Sequence, residues 1–138
     1  MPENKQFSIA VHLLAGLGYA QEDFTSSMLA KSVNTSPSFI RRVLAKLSKA
    51  NLIVTATGKT GSTKLARRPE TISLLEIYRA VEAPMAFAIH DYPAQTSCAV
   101  SCNIKASLEK VLSRTQASME KGLAEISLAD VIADLPSG

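Results

Sequence analysis

The chain has 138 residues, 46% of them hydrophobic and 20% charged. That globular composition excludes a disordered tail, a collagen-like repeat and a bare coiled coil. The net charge of +3 is mild, which excludes an extreme polyanion or polycation, but the charges are unevenly spread.

Residues 1–70 carry ten Lys/Arg against four Asp/Glu, and residues 71–138 carry five against eight. No acid occurs between Asp23 and Glu70, where nine basic residues stand: Lys31, Arg41, Arg42, Lys46, Lys49, Lys59, Lys64, Arg67 and Arg68. Such a stretch repels itself, and a polyanionic partner relieves the repulsion; nucleic acid is the expected one. No apolar run approaches the roughly 18–20 residues that span a bilayer. The opening Met1–Gln6 carries both charge signs in place of an apolar secretory segment, and two cysteines fit a reducing compartment. A cytoplasmic protein without a membrane partner is expected. At this length roughly two-thirds of the unfolded surface is buried on folding, so no disulfide or metal staple is needed.

In chain order, Ile9, Ala10, Val11, Leu13, Leu14 and Leu17 make Phe7–Tyr19 a core helix. Gly16 and Gly18 are expected to loosen its last turn; they lack the third glycine and preceding strand of a dinucleotide-binding fingerprint. His12 reads as a packed or capped side chain and not as a base. Thr25 or Ser26 then N-caps a short helix that Asn34 closes in a left-handed conformation. Ser36 is a good N-cap for the next helix, and Pro37 suits its first position, where the missing N–H costs nothing. Two short helices across so brief a turn form a helix-turn-helix.

The second of them, Pro37–Ala50, puts Ile40, Val43, Leu44 and Leu47 on one stripe. The opposite stripe holds Ser38, Arg42, Ala45 and Lys49, with Arg41 and Lys46 on its flanks. A helix entering the major groove needs this pattern: short donors near base edges, nothing bulky midway, and cations for phosphates on either side. Leu52–Ala56 and Thr63–Arg67 read as strands around a Gly58–Gly61 turn, a basic hairpin or wing directly after the recognition helix. The turn lacks the spacing of a nucleotide-binding loop. The candidate DNA-contacting set is Ser36, Ser38, Phe39, Arg41, Arg42, Lys46 and Lys49 from the helix, and Lys59, Thr60 and Lys64 from the wing.

Beyond the wing, Ser73 and Glu76 form a capping box that opens a helix to about Glu82, which Pro84 stops. Residues 84–102 read as a loop carrying His90, Asp91, Cys98 and Cys102. A long helix over Asn103–Leu123 aligns Ile104, Leu108, Val111, Leu112, Thr115, Met119 and Leu123 on one stripe, which covers its own domain or pairs with a copy of itself. Ser127 and Asp130 open a terminal helix. The fold class expected is mainly α with a small β-hairpin wing. Its divisions are a winged helix-turn-helix over 1–83, a cysteine-containing loop over 84–102, and a dimerisation helix with a C-terminal helix over 103–138.

This order, and above all the stretch Leu65-Ala-Arg-Arg-Pro-Glu-Thr-Ile-Ser-Leu-Leu-Glu-Ile-Tyr-Arg-Ala-Val-Glu82, resembles the Rrf-two family of bacterial winged-helix transcriptional regulators. The resemblance implies a homodimer that binds palindromic operator DNA. It also implies dimerisation through Ile104, Leu108, Val111, Leu112, Thr115 and Met119. Family wings commonly carry a Gly-Gly-aromatic run, where this chain has Gly61, Ser62 and Thr63. Cluster-binding members use three loop cysteines and one further ligand. Here only Cys98 and Cys102 are present, and Lys105 stands where one relative places a histidine, so no cofactor and no iron–sulfur cluster is expected.

Three readings of the two cysteines stand: small hydrophobes near a helix start, a redox or electrophile sensor able to form a bridge after local rearrangement, and metal ligands. For the whole chain the leading reading is a DNA-binding transcriptional repressor that answers a redox or small-molecule signal. A winged-helix interaction module without DNA binding is the alternative. A small enzyme is the third class, and no paired carboxylates, nucleophile elbow, HExxH or complete nucleotide loop supports it.

Overall fold

The computed structural model describes residues 4–20, 25–55 and 62–136. Its elements are α1 (Gln6–Ala20), α2 (Ser26–Val33), α3 (Pro37–Lys49), β1 (Ile53–Thr55), β2 (Thr63–Leu65), a 3₁₀ turn (Pro69–Thr71), α4 (Leu74–Ala80), α5 (Ala99–Ala124) and α6 (Leu128–Ala133). Up to Ala83, and again from Leu123, the chain belongs to one compact unit; Pro84–Gly122 form a second.

Local chemistry sets most boundaries of the first unit. Thr25 caps α2 by accepting from the Met28 N–H, and Asn34 ends that helix at φ 67°. Ser36 caps α3 by accepting from Phe39 N–H, with Pro37 at the first position. Asn51 adopts φ 61° beyond α3, and the Leu52 N–H reaches back 3.0 Å to the Leu47 carbonyl. This left-handed stop turns the chain from helix into strand. Strands β1 and β2 pair antiparallel, Ile53 with Leu65, Val54 with Lys64 and Thr55 with Thr63. The segment between them, where a turn with Lys59 and Thr60 is expected, lies outside the described residues.

Helix α1 runs through the middle of the core. Its Ala10, Leu13, Leu14 and Leu17 are buried with Leu29, Ile40, Val43, Leu47, Leu52, Ile72, Ile77 and Val81 from the elements around it. Leu128 of α6 is also completely buried here, which corrects the expected grouping of residues 103–138: the terminal helix belongs with the winged unit. Its entry is sewn to that of α4. The Leu74 N–H bonds the Ile126 carbonyl (2.9 Å), the Leu128 N–H bonds the Ile72 carbonyl (2.8 Å), and each helix opens with a complete capping box, Ser73–Glu76 and Ser127–Asp130.

The expected loosening of α1 at its glycines does not occur; the helix continues to Ala20. A Cβ at Gly18 would stand 2.5 Å from Cδ1 of Ile132 and 3.3 Å from Cδ1 of Leu65, whereas one at Gly16 would meet nothing within 4 Å. Gly18 thus permits close approach of α6 and the wing base. Gly16→Ala should therefore raise the unfolding free energy by about 0.5–1 kcal/mol, the helix-interior cost of glycine, and Gly18→Ala should not. Urea melts of the two variants check this.

At the wing base the Arg67 guanidinium grips Glu76, Nη1 to Oε1 at 2.8 Å and Nη2 to Oε2 at 3.1 Å, and also donates to the Thr71 carbonyl. The hydrogen bond from Arg67 holds the Glu76 carboxyl below its ordinary pKa, aided by the Ser73 N–H and opposed by burial. A carboxylate with a lowered folded-state pKa contributes stability above its unfolded pKa, near about 4.3, and loses it as pH falls through the folded value. Wild-type stability should thus decline on acidification below that range, and Glu76→Gln should flatten part of the decline in urea melts at several pH values. The effect is small, because the side chains are 36% and 42% exposed and water screens them.

In the second unit α5 begins at Ala99, four residues before the expected start, so Cys102 lies inside the helix and not in a loop. The chain before it folds back: the Ala86 N–H donates to Oε1 of Gln116 (2.9 Å), and the Gln95 N–H to Oγ of Ser101 (2.7 Å). Gln116 is the one buried residue among those described on α5.

Candidate nucleic-acid interface

Helix α3 is anchored by Ile40, Val43, Leu44 and Leu47, all buried; each such side chain contributes roughly 1.5–3 kcal/mol relative to exposure. With that stripe inward, Ser38, Arg41, Arg42, Ala45 and Lys49 face solvent. The Arg42 guanidinium lies 5.3 Å from the centre of the Phe39 ring, and Phe39 is itself half-buried against the core. This cation–π contact narrows where Arg42 can reach. Ser36 Oγ accepts from the Phe39 N–H at 3.3 Å, so its own O–H remains available to an incoming acceptor.

Lys46 departs from the expected set. Its Nζ donates to Oε1 of Gln6 at 2.8 Å and to the Val81 carbonyl at 3.4 Å. Position 46 follows buried Val43 by three residues, so it borders the apolar stripe. The long stem carries the ammonium inward, to the N-terminal end of α1 and the C-terminal end of α4. Lys46 is a clamp on α3, and the missed signal is tertiary.

The other cations sort by partner. Arg67 is tied to Glu76, and Arg68 touches Glu70 at 3.2 Å. Lys31, Arg41, Arg42, Lys49 and Lys64 are exposed and form no ion pair with any described residue. Lys64 shares the outer face of the hairpin with Val54, which is exposed as well. His12 bonds Oγ of Ser32 through Nε2 at 3.0 Å, joining α1 to α2.

Residues 4–134 match the model of the Rrf2 family, described as "Iron-dependent Transcriptional regulator". The chain belongs to the Rrf2 family. It is 36% identical over 130 residues to YwnA of Bacillus subtilis, which is named as an HTH-type transcriptional regulator; the match covers 94% of this chain and 96% of that one. It is similar to a crystal structure titled as that of a DNA-binding protein, with a TM-score of 0.75 and 34% identity over 92% of this chain and 98% of the other. A transcriptional regulator of Lactobacillus plantarum, 24% identical, shares the fold with a TM-score of 0.80 over 94% of this chain and 89% of its own. This Rrf2 protein is a transcriptional regulator built on a winged helix-turn-helix. Among its described residues no helix is long and apolar enough to cross a membrane.

The family description names iron, and the described residues gather no ligand set for it. Among the described residues no group of three or more His, Cys, Asp or Glu gathers where it could hold a metal ion. Cys98 and Cys102 are free and exposed. Cys98 Sγ accepts from the Ser101 N–H at 3.4 Å, and the Cys102 thiol donates to the Gln95 carbonyl at 3.5 Å. Lys105 donates to the Tyr92 carbonyl. These residues do not fit an iron or iron–sulfur site, which needs three or four strong donors around the metal.

Proposed function

We propose that this Rrf2 regulator is a homodimeric repressor that reads a palindromic DNA operator with α3. The observation that carries the reading is the solvent-facing side of α3, where Ser38, Arg41, Arg42 and Lys49 stand exposed in a stretch of sequence without a single acid from residue 24 to residue 69. Ser36 and the α3 N-terminus supply donors to a backbone phosphate, Arg42 on its Phe39 platform reaches a base edge or phosphate, and Lys49 and the wing's Lys64 add charge to either side. Lys59 and Thr60, which lie outside the described residues, are assigned the same role from their sequence alone.

The test is duplex binding by fluorescence anisotropy as salt rises. A log-affinity against log-salt slope of several units is expected, because each neutralised phosphate contributes about 0.9. A protein that leaves duplex DNA or heparin resin at low salt would instead be an interaction module.

Cys98 and Cys102 form the proposed redox input. Peroxide, hypochlorite or a diamide-type oxidant takes up two electrons as the two thiols release two protons and join as a disulfide. They flank the start of α5, so a bridge requires local rearrangement of its first turn. A tenfold change in operator affinity corresponds to about 1.4 kcal/mol of differential stabilisation. Oxidant should change wild-type affinity by that order and leave the Cys98→Ser/Cys102→Ser variant unaffected. A variant that still responds assigns the thiols to structure alone.

A further inference from the structure

A groove of about 670 Å³ lies behind the wing, within the winged unit. Its size is that of small-molecule sites, roughly 300–1,000 Å³. Leu17 of α1, Leu65 of β2, and Ala129 and Ile132 of α6 form apolar walls, and Arg68 and Glu70 stand among its lining residues. None of these residues belongs to the proposed DNA-reading face.

Arg67 lines the groove as well but is held by Glu76, so Arg68 and Glu70 define the ligand's chemistry. Arg68 uses only Nε toward one Glu70 oxygen, at 3.2 Å. Its two terminal nitrogens, and the second oxygen of Glu70, have no partner among the described residues. Paired terminal nitrogens of a guanidinium suit a carboxylate, bound through both oxygens. A simple carboxylate placed there, however, also faces the charge of Glu70, and a simple ammonium beside Glu70 faces Arg68. A zwitterion answers both at once, with its apolar side chain on the aliphatic walls.

We infer that this groove binds an apolar α-amino acid, and that the bound ligand acts as an effector. The second half rests on the reading of the protein as a DNA-binding regulator. Its physical route is short. The ligand touches the end of β2, which carries the wing, together with α6, so occupancy braces the wing base and biases its position. The charged pair is well exposed, at 84% and 59%, so water screens its contacts and each contributes modestly to affinity.

The experiment titrates the full chain with L-phenylalanine and L-leucine and follows the methyl NMR signals of Leu65 and Ile132. Phenylpropanoate and phenethylamine serve as monofunctional controls, and duplex affinity is measured with and without each amino acid. Saturable shifts are expected with at least one amino acid. Each control, and the Arg68→Gln variant with that amino acid, should bind about two- to fivefold more weakly, up to about 1 kcal/mol for one screened charge contact. Ala129→Phe, which fills the groove and leaves the charges in place, should abolish the shifts. No saturable shift in the wild type, or controls that bind as well as the amino acids, overturns the site. Saturable binding with unchanged duplex affinity overturns its role as an effector site. The NMR arm contains no DNA, so a protein that binds no duplex would refute the proposed function and still report on the groove.

Discussion

Replacing Arg41, Arg42 and Lys49 together by Ala should flatten the salt dependence of duplex binding by about 0.9 for each phosphate no longer neutralised, counted twice in a dimer. These three side chains are exposed on α3 and make no ion pair with the described residues, so their removal leaves the core untouched and thermal stability should stay near wild type. Lys46→Ala should do the reverse. Its ammonium serves Gln6 and the Val81 carbonyl, so stability falls by about 0.5–3 kcal/mol, as expected for a half-buried, charge-assisted hydrogen-bond pair, while the salt slope stays. Anisotropy titrations at four or five salt concentrations, beside urea melts, separate the two behaviours. An unchanged slope in the triple variant would contradict the assignment of α3.

The second large effect concerns assembly. Met85, Phe87, Tyr92, Val100 and Val111 are all exposed large hydrophobics within Pro84–Gly122. On α5, Ile104, Leu108, Leu112 and Met119 are only half-buried, and Thr115 is exposed. A unit that leaves so much apolar surface in water is a candidate for burial against a second copy. Leu108→Glu/Leu112→Glu should give a monomer by light scattering at micromolar concentration, because an unpaired carboxylate in an apolar interface is costly. Operator binding should weaken with it, since a two-fold dimer presents its recognition helices about 34 Å apart, one duplex turn. Wild type that scatters as a single chain would contradict the dimer.

What could be read from the residues was the chemistry of neighbours in sequence. The Thr25 and Ser36 caps, left-handed Asn34, Pro37 at a helix start, and the Ser73–Glu76 and Ser127–Asp130 boxes each depend on atoms within four residues. The apolar period of α3 was legible for the same reason, and it oriented the candidate interface. Features that depend on distant elements were not legible. Lys46 looks like any flank cation until Gln6 and Val81 are placed beside it. Gly18 looks like a loosened turn until Ile132 packs over it. Gln116 breaks an otherwise apolar face for a reason visible only when the Ala86 N–H arrives. The early start of α5 was hidden because Cys98, whose sulfur accepts from Ser101, is not among the usual capping residues.

The most direct test is selection of binding sequences from a randomised duplex pool by the purified wild-type protein. The expected result is enrichment of an inverted repeat whose half-site centres lie about one helical turn, or a multiple of it, apart, with enrichment abolished in the Arg41/Arg42/Lys49 alanine variant. A pool that returns no enriched sequence, or an enrichment that the triple variant reproduces, would contradict the claim that α3 reads DNA.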